Sequence, residues 1–341
     1  LRPAGADRTK RFRASINRER LAGRRRLAIG ERMPPPDPAL LTLLESLRNA
    51  GYRFTAVTPA THARVIGRPG REEARDLRDV FGWSLPFRRA LLPPALIEAL
   101  AEAGALEEQG GLLKSRLRAA SLGETLFLHS AYPTDGDDSV FFGPDTYRFA
   151  DLLRAELPRL APVHRVADIG AGGGAGGIVA SGLLPGALVT LADVNPLALR
   201  LAAANAAHAG VEVELVRGAG LDPVAGAVDL IIANPPYMAD ESDRAYRDGG
   251  GLHGAGLSLE WALAAARRLE PGGHMLLYTG SAIVEGRDAL RETLEAALPA
   301  LGCTLGYREL DPDVFGEELE QPAYRDVERI SAVAALIARA M

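Results

Sequence analysis

From residue 160 onward the chain alternates short apolar runs with longer mixed ones. Residues 165–169 read as a buried strand, and an apolar helix is expected over 175–183. Strand 187–192, helix 196–209, strand 211–216 and strand 228–233 follow. Beyond them the pattern predicts helix 257–269, a turn at Pro271-Gly272-Gly273, strand 274–279, helix 285–300, and strands 303–309 and 329–338. Such a rhythm predicts an α/β fold, a mostly parallel sheet with helices on both faces.

Residues 37–134 have a different pattern. Asp37 is placed to cap a helix with Pro38 at its first position, carrying Leu40, Leu41, Leu43, Leu44 and Leu47 inward. A second helix is expected over 71–82 and a third from Pro93-Pro94 to Gly104. Two strand candidates, 111–119 and 124–131, with a turn at Ser121-Leu122-Gly123, complete a small winged-helix-like module. A module of that kind binds nucleic acid, binds protein or only packs; Arg116 and Arg118 would stand on its wing.

The first 32 residues change the picture of charge. They hold eleven basic residues against Asp7, Glu19 and Glu31, a local charge of +8, while the whole chain of 341 residues carries −5. Poor in large apolar residues, the segment reads as a solvated or docked arm, a nucleic-acid-binding arm or a targeting peptide. Met33-Pro34-Pro35-Pro36 then makes a stiff linker. The expected organisation is arm and linker over 1–34, accessory α+β domain over 35–134, and the α/β domain over 135–341. The sequence opens at Leu1, so a natural N-terminus altered or lying elsewhere is expected.

Composition excludes more than it suggests. With 47% apolar and 24% charged residues, the chain is neither disordered nor fibrous. No run of 18 apolar residues suggests a membrane span. The single cysteine, Cys303, permits no internal disulfide and no cysteine-based zinc site, which suits a cytoplasmic location. Lysine occurs only at Lys10 and Lys114, a bias that codon usage explains.

Three motifs carry chemistry. Asp168-Ile169-Gly170-Ala171-Gly172-Gly173-Gly174 joins a strand to a helix, where glycines let backbone approach a ligand and the helix start offers free N–H groups. Asp193, at the end of the next strand, suits the two hydroxyls of a ribose, with Asn195 as the better-placed helix cap. These two alone fit a nicotinamide cofactor or S-adenosylmethionine. The third, Asn234-Pro235-Pro236-Tyr237 after the fourth strand, chooses between them. An Asn oxygen and a proline-stretch carbonyl accept two N–H bonds from one planar NH₂ group, and Tyr237 is placed to lie on its face.

On these motifs, residues 141–341 resemble class I S-adenosylmethionine-dependent methyltransferases of the N-P-P-Y branch. The resemblance implies a Rossmann-like seven-stranded sheet ending in an antiparallel hairpin. It implies that Gly170, Gly172 and Gly174 line the methionine end of the cofactor, with Asp168 also in the cofactor-binding set, that Asp193 holds the ribose and that Val194 packs by the adenine. Asn234, Pro235, Pro236 and Tyr237 would hold the nitrogen to be methylated. Gly143-Pro144-Asp145-Thr146 and Asp248-Gly249-Gly250-Gly251-Leu252-His253-Gly254 are similar to segments of the glutamine methyltransferases of release factors, in which Thr146 would help close the cofactor site. At one position the chain departs from that family. Ala219, in Gly218-Ala219-Gly220-Leu221-Asp222-Pro223, stands where the family has an acid that meets the adenine amine. A backbone carbonyl or a shifted Asp222 would replace it.

The expected reaction is an in-line displacement with a neutral thioether leaving, which needs no metal. The acceptor is a planar amide or amine nitrogen, foremost a protein glutamine, for instance of a translation factor. An RNA base (adenine-N6 or guanine-N2) and a small molecule or peptide are the alternatives. Asp240, Glu241, Asp243 and His253 follow the third motif as solvated loop residues or proton relays; the three acids would repel a phosphate backbone.

Overall fold

The computed structural model describes residues 35–134, 136–160, 162–239 and 247–341. The basic arm and the acids Asp240, Glu241 and Asp243 lie outside the described residues.

Helix α1 (Pro38–Asn49) starts as its sequence demands, with the Asp37 carboxylate accepting from the Ala39 amide. It is followed by α2 (Pro59–Ile66), α3 (Leu77–Phe81) and α4 (Pro94–Glu102). The helix expected over 71–82 is therefore only five residues long. Asp76 caps it at the Asp79 amide, and the buried Asp79 draws Arg71 and Arg75 onto itself, so the preceding residues wrap rather than coil. The single hairpin expected over 111–131 is two: β1 (Leu106–Gln109) pairs with β2 (Leu112–Ser115), and β3 (Leu117–Leu122) with β4 (Thr125–Ser130). The chain breaks at Arg116, where the Ser115 hydroxyl bridges the backbone of Leu117.

Arg118 does not stand on a wing. It is buried, donating to the Ser130 carbonyl at 3.1 Å and lying 3.3 Å from Nδ1 of the buried His62. Arg116 is the surface residue and pairs with Glu107.

The large sheet runs β11-β12-β9-β8-β5-β6-β7. Its strands are β5 (Arg165–Ile169), β6 (Leu188–Asp193), β7 (Glu214–Arg217), β8 (Val228–Ala233), β9 (Leu269–Val284), β11 (Cys303–Asp311) and β12 (Arg329–Arg339). The two-residue β10 (Arg287–Asp288) adds an eighth piece beside β9. Strands β5 to β9 are parallel, and β12 returns antiparallel between β9 and β11, the terminal hairpin that the resemblance implied. Residues 270–273 do not end β9; they bulge opposite Asp229, between the pairs Val228–Leu269 and Leu230–His274.

Helices α5 (Pro144–Glu156), α6 (Ala175–Leu183), α7 (Pro196–Ala209), α8 (Gly256–Arg268) and α9 (Ala289–Ala297) cover the sheet. Side chains alternate along each strand, as the pleat requires. Ala167, Ile169, Ile231, Ala233, Met275 and Leu277 face α8 and α9, while Val166, Leu230, Ile232, Leu276 and Tyr278 pack in the core with α5. The predicted helix over 285–300 begins late because Glu285 and Gly286, both at positive φ, turn the chain back onto β9 before Asp288 caps α9. The core of the N-terminal helices includes Ala198, Leu201 and Ala204 of α7. Among the described residues no helix is long and apolar enough to cross a membrane.

Candidate active site

The three motifs meet because their strands are neighbours in register. Ile169 of β5 pairs with Ala192 of β6 on one side and with Ala233 of β8 on the other. Gly170, Asp193 and Asn234 therefore leave the carboxyl ends of adjacent parallel strands at one level, about 5 Å apart from strand to strand. Strand order reverses between β5 and β8, and that switch point is where open α/β sheets bind ligands.

The Gly-rich turn is held from both sides. The Gly170 and Ala171 amides donate to the Ala192 carbonyl at 2.8 and 3.1 Å. Gly172 has φ +55°, and a Cβ there would meet nothing within 4 Å. Its glycine answers to backbone conformation and leaves the turn open. Gly177 answers to packing, since a Cβ there would fall 2.1 Å from Leu191 Cδ2. Gly170 lies against the ring of Trp261, and Gly174 against Ala202 and Leu191.

Asp168 lies beneath this turn. It is buried, and its Oδ2 accepts from the Gly177 amide at 2.7 Å. Burial pushes its carboxyl up to about 7, against the Gly177 bond, with the nearby Asp193 adding to the rise. Its place is that of a turn-holding residue, not of a group facing a ligand. Asp193 is less free than its sequence suggests. Asn195 does cap α7 through Leu197, but Asp193 Oδ2 accepts from the Gly172 amide and Oδ1 from the Asn195 amide, each at 2.8 Å. Burial raises its carboxyl too, while these amides oppose the rise. Each carboxylate oxygen keeps a second lone pair, so two ribose hydroxyls still fit. Val194 beside it is 39% exposed, a large apolar side chain open to solvent.

Ala219 is exposed, in a turn tied to Asp193 by the Gly218 amide at 3.0 Å. The sequence reading missed Trp261 of α8. Its ring touches Gly170, and its Nε1 lies 3.3 Å from where a Cβ of Gly220 would stand. The half-buried indole thus spans the Gly-rich turn and the turn that lacks the acid. Its sequence signal was faint, one of two tryptophans on a helix without a motif. Thr146 is buried and turned inward, its hydroxyl accepting from the Gly143 amide at 3.3 Å.

At the end of β8, Asn234 is half-buried, and its side chain makes no hydrogen bond to the described residues. Pro235 is buried, Pro236 half-buried. The returning segment lies on this turn through Met238 N to Arg247 O at 3.1 Å and Gly249 N to Met238 O at 2.8 Å. Glycine is required at 254, where a Cβ would fall 2.2 Å from the Tyr237 carbonyl. The Tyr237 ring is only 7% exposed and is lodged against Gly280. It does not present a free face at the opening, as had been expected. His253, a proposed relay, is engaged with Asp326 at 3.1 Å.

The observed set fits the cofactor that the resemblance implied: an open Gly-rich turn, a carboxylate with spare lone pairs, an exposed Val194 and a flanking indole. Among the described residues no cluster of His, Cys, Asp or Glu is placed to hold a metal ion.

A family model, the methyltransferase small domain, matches residues 145–297. A release factor glutamine methyltransferase of Deinococcus radiodurans is 34% identical over 179 residues, 51% of this chain and 63% of that protein. One from Cereibacter sphaeroides is 31% identical over 242 residues, 66% of this chain and 84% of that protein. A ribosomal RNA small subunit methyltransferase C of Ectopseudomonas mendocina is 28% identical over 287 residues, 77% of this chain and 75% of that protein. The match thus spans just under two thirds of the Deinococcus relative's length.

Proposed function

Since the chain belongs to the class I S-adenosylmethionine-dependent methyltransferases with a small methyltransferase domain, we propose that it methylates the side-chain amide nitrogen of a protein glutamine. The observation that carries this reading is the Asn234 side-chain amide, without a hydrogen bond among the described residues, at the switch point and level with the Gly-rich turn.

S-adenosylmethionine supplies the methyl group. The residues of the chain do the positioning. The Asn234 oxygen and the Pro235 carbonyl accept the two N–H bonds of the acceptor, which draws its delocalised lone pair toward the donor. Orientation of this kind contributes roughly 7–11 kcal/mol to such reactions, and fixed dipoles at the developing positive nitrogen add to it. Asp193 takes the ribose hydroxyls and Val194 one adenine face. Trp261 flanks the adenine where Ala219 offers no acid.

A polypeptide acceptor is favoured by the charges next to the turn. Arg247 is tied to Glu318, and the His253 ring lies 3.1 Å from Asp326, so neither side chain is free for a phosphate backbone. The names of the Deinococcus and Cereibacter relatives support glutamine. A second reading, an RNA base, draws support from the Ectopseudomonas relative, whose match extends over 77% of this chain.

A tritiated-methyl transfer assay on a lysate from a strain lacking the protein separates these readings. Label removed only by protease, and mapped to glutamine by mass spectrometry, is the expected result. Label removed only by ribonuclease refutes the glutamine reading in favour of the RNA base. Label confined to small molecules refutes both.

A further inference from the structure

Beneath the Asn234–Tyr237 turn lies a buried polar cluster that the sheet does not require. Asp145, the second residue of α5, is 2% exposed. Its hydrogen bonds both fall on Oδ1, from the Tyr278 hydroxyl at 2.7 Å and from Arg148 at 3.4 Å. Arg148 continues to Asp311 at 3.0 Å. Tyr237 stands over the same cluster. Its hydroxyl is buried without a partner in hydrogen-bond geometry among the described residues. Burial raises both the Tyr237 phenol and the Asp145 carboxyl, and the two groups are close enough to perturb each other.

The ring of Tyr237 fixes which way this residue works. A Cβ on Gly280 would fall 2.2 Å from its Cδ2 and 2.5 Å from its Cε2, so the ring fills the space of the side chain that Gly280 lacks. Phe315 lies on another side, 6.2 Å between ring centroids. Gly280 and Phe315 thus hold the ring from two sides. An unmade bond to a buried hydroxyl is costly, and Asp145, whose two hydrogen bonds both fall on Oδ1, keeps Oδ2 open as an acceptor.

We propose that Asp145 is a positioning residue for the acceptor turn: the Tyr237 hydroxyl donates to its Oδ2 when the turn is seated, and Tyr237 anchors the turn from below. This rests on reading Asn234 as the acceptor-holding residue. The same helix sets the donor side. Phe149 of α5 packs on Gly176, where a Cβ would fall 2.6 Å from its ring. One rigid helix thereby references both turns, and a misplacement of about 1 Å between reacting groups costs on the order of 100-fold in rate.

The test uses the full chain with Tyr237→Phe, Asp145→Asn and the double variant. Tyr237→Phe keeps the ring on Gly280, and Asp145→Asn keeps an acceptor for Tyr278. Hydrogen exchange by mass spectrometry, with S-adenosylmethionine bound, reads the Met238 and Ala239 amides, which are held by the Arg247 carbonyl and the Tyr324 hydroxyl. Each single variant is expected to speed their exchange about tenfold or more, with the double variant no faster and residues 165–169 unchanged. On the acceptor fraction labelled in the lysate, kcat is expected to fall roughly 10- to 100-fold with KM for the cofactor within about threefold. Wild-type exchange in Tyr237→Phe overturns the proposal. So does a Tyr237→Phe enzyme with full kcat when Tyr237→Leu raises KM for the acceptor, the pattern of a stacking platform. Full activity in Asn234→Ala would reject the acceptor-turn reading while leaving the exchange result to judge the anchor alone.

Discussion

Replacing Asp168 with Asn removes a buried charge while keeping the shape and the bond to the Gly177 amide. Two effects oppose each other at this site. Gly177 is in the first turn of α6, and a helix N-terminus favours an anion by up to about 1–2 kcal/mol. Burial works the other way and is stronger, since the carboxyl rises from 3.8 to about 7. At about 1.4 kcal/mol per tenfold in proton affinity, holding the ionised form costs the native state roughly 4 kcal/mol. The sign follows from the raised value. Stability from protonated Asp168 is fully present below pH 3.8 and is lost as pH rises through about 7. Urea unfolding of both proteins at about pH 4.5 and pH 8.5 isolates this group, because other titrations cancel in the difference. The Asn variant is expected to gain on the wild type by about 3 kcal/mol between the two pH values. An unchanged gap would refute the argument. A gap moving the other way would show that the helix terminus outweighs burial.

Asn234→Ala should abolish methyl transfer while calorimetry still finds S-adenosylmethionine bound; near-normal turnover rules out the proposed role. Asp193→Ala removes the acceptor of both the Gly172 and Asn195 amides, so cofactor affinity should drop about tenfold or more; an unaltered dissociation constant rejects the ribose assignment. The chain has two tryptophans, and cofactor binding should alter indole fluorescence through Trp261 alone. The change should persist in Trp83→Phe and vanish in Trp261→Leu, with affinity in the latter about three- to tenfold weaker. A signal that follows Trp83 instead would remove Trp261 from the adenine.

What the sequence made legible follows from the range of the interactions involved. The α/β rhythm was readable because β5, β6, β8 and β9 are buried on both faces, which makes an apolar run unmistakable. The Gly-rich turn, Asp193 and Asn234 were readable because their backbone demands are local. Helix α2 was missed although Thr58 caps Thr61 and Pro59 takes its first turn, the same signal that located α1. Its face holds only one buried residue, His62, so there was no apolar stripe to see. The misjudged residues share a different cause. Arg118, Tyr237 and Asp145 are polar side chains carried into the interior, although the first was expected on a wing and the second on the face of the acceptor. Each is settled by partners far off in sequence: His62 and Ser130 for Arg118, Tyr278 for Asp145, Gly280 for Tyr237. A polar residue's pattern along the chain says that it needs a partner, not whether the partner is water, a ligand or the fold. For Tyr237 the deciding residue is a glycine 43 positions later, and its empty side-chain space turns a tyrosine expected at the opening into one lodged beneath the turn.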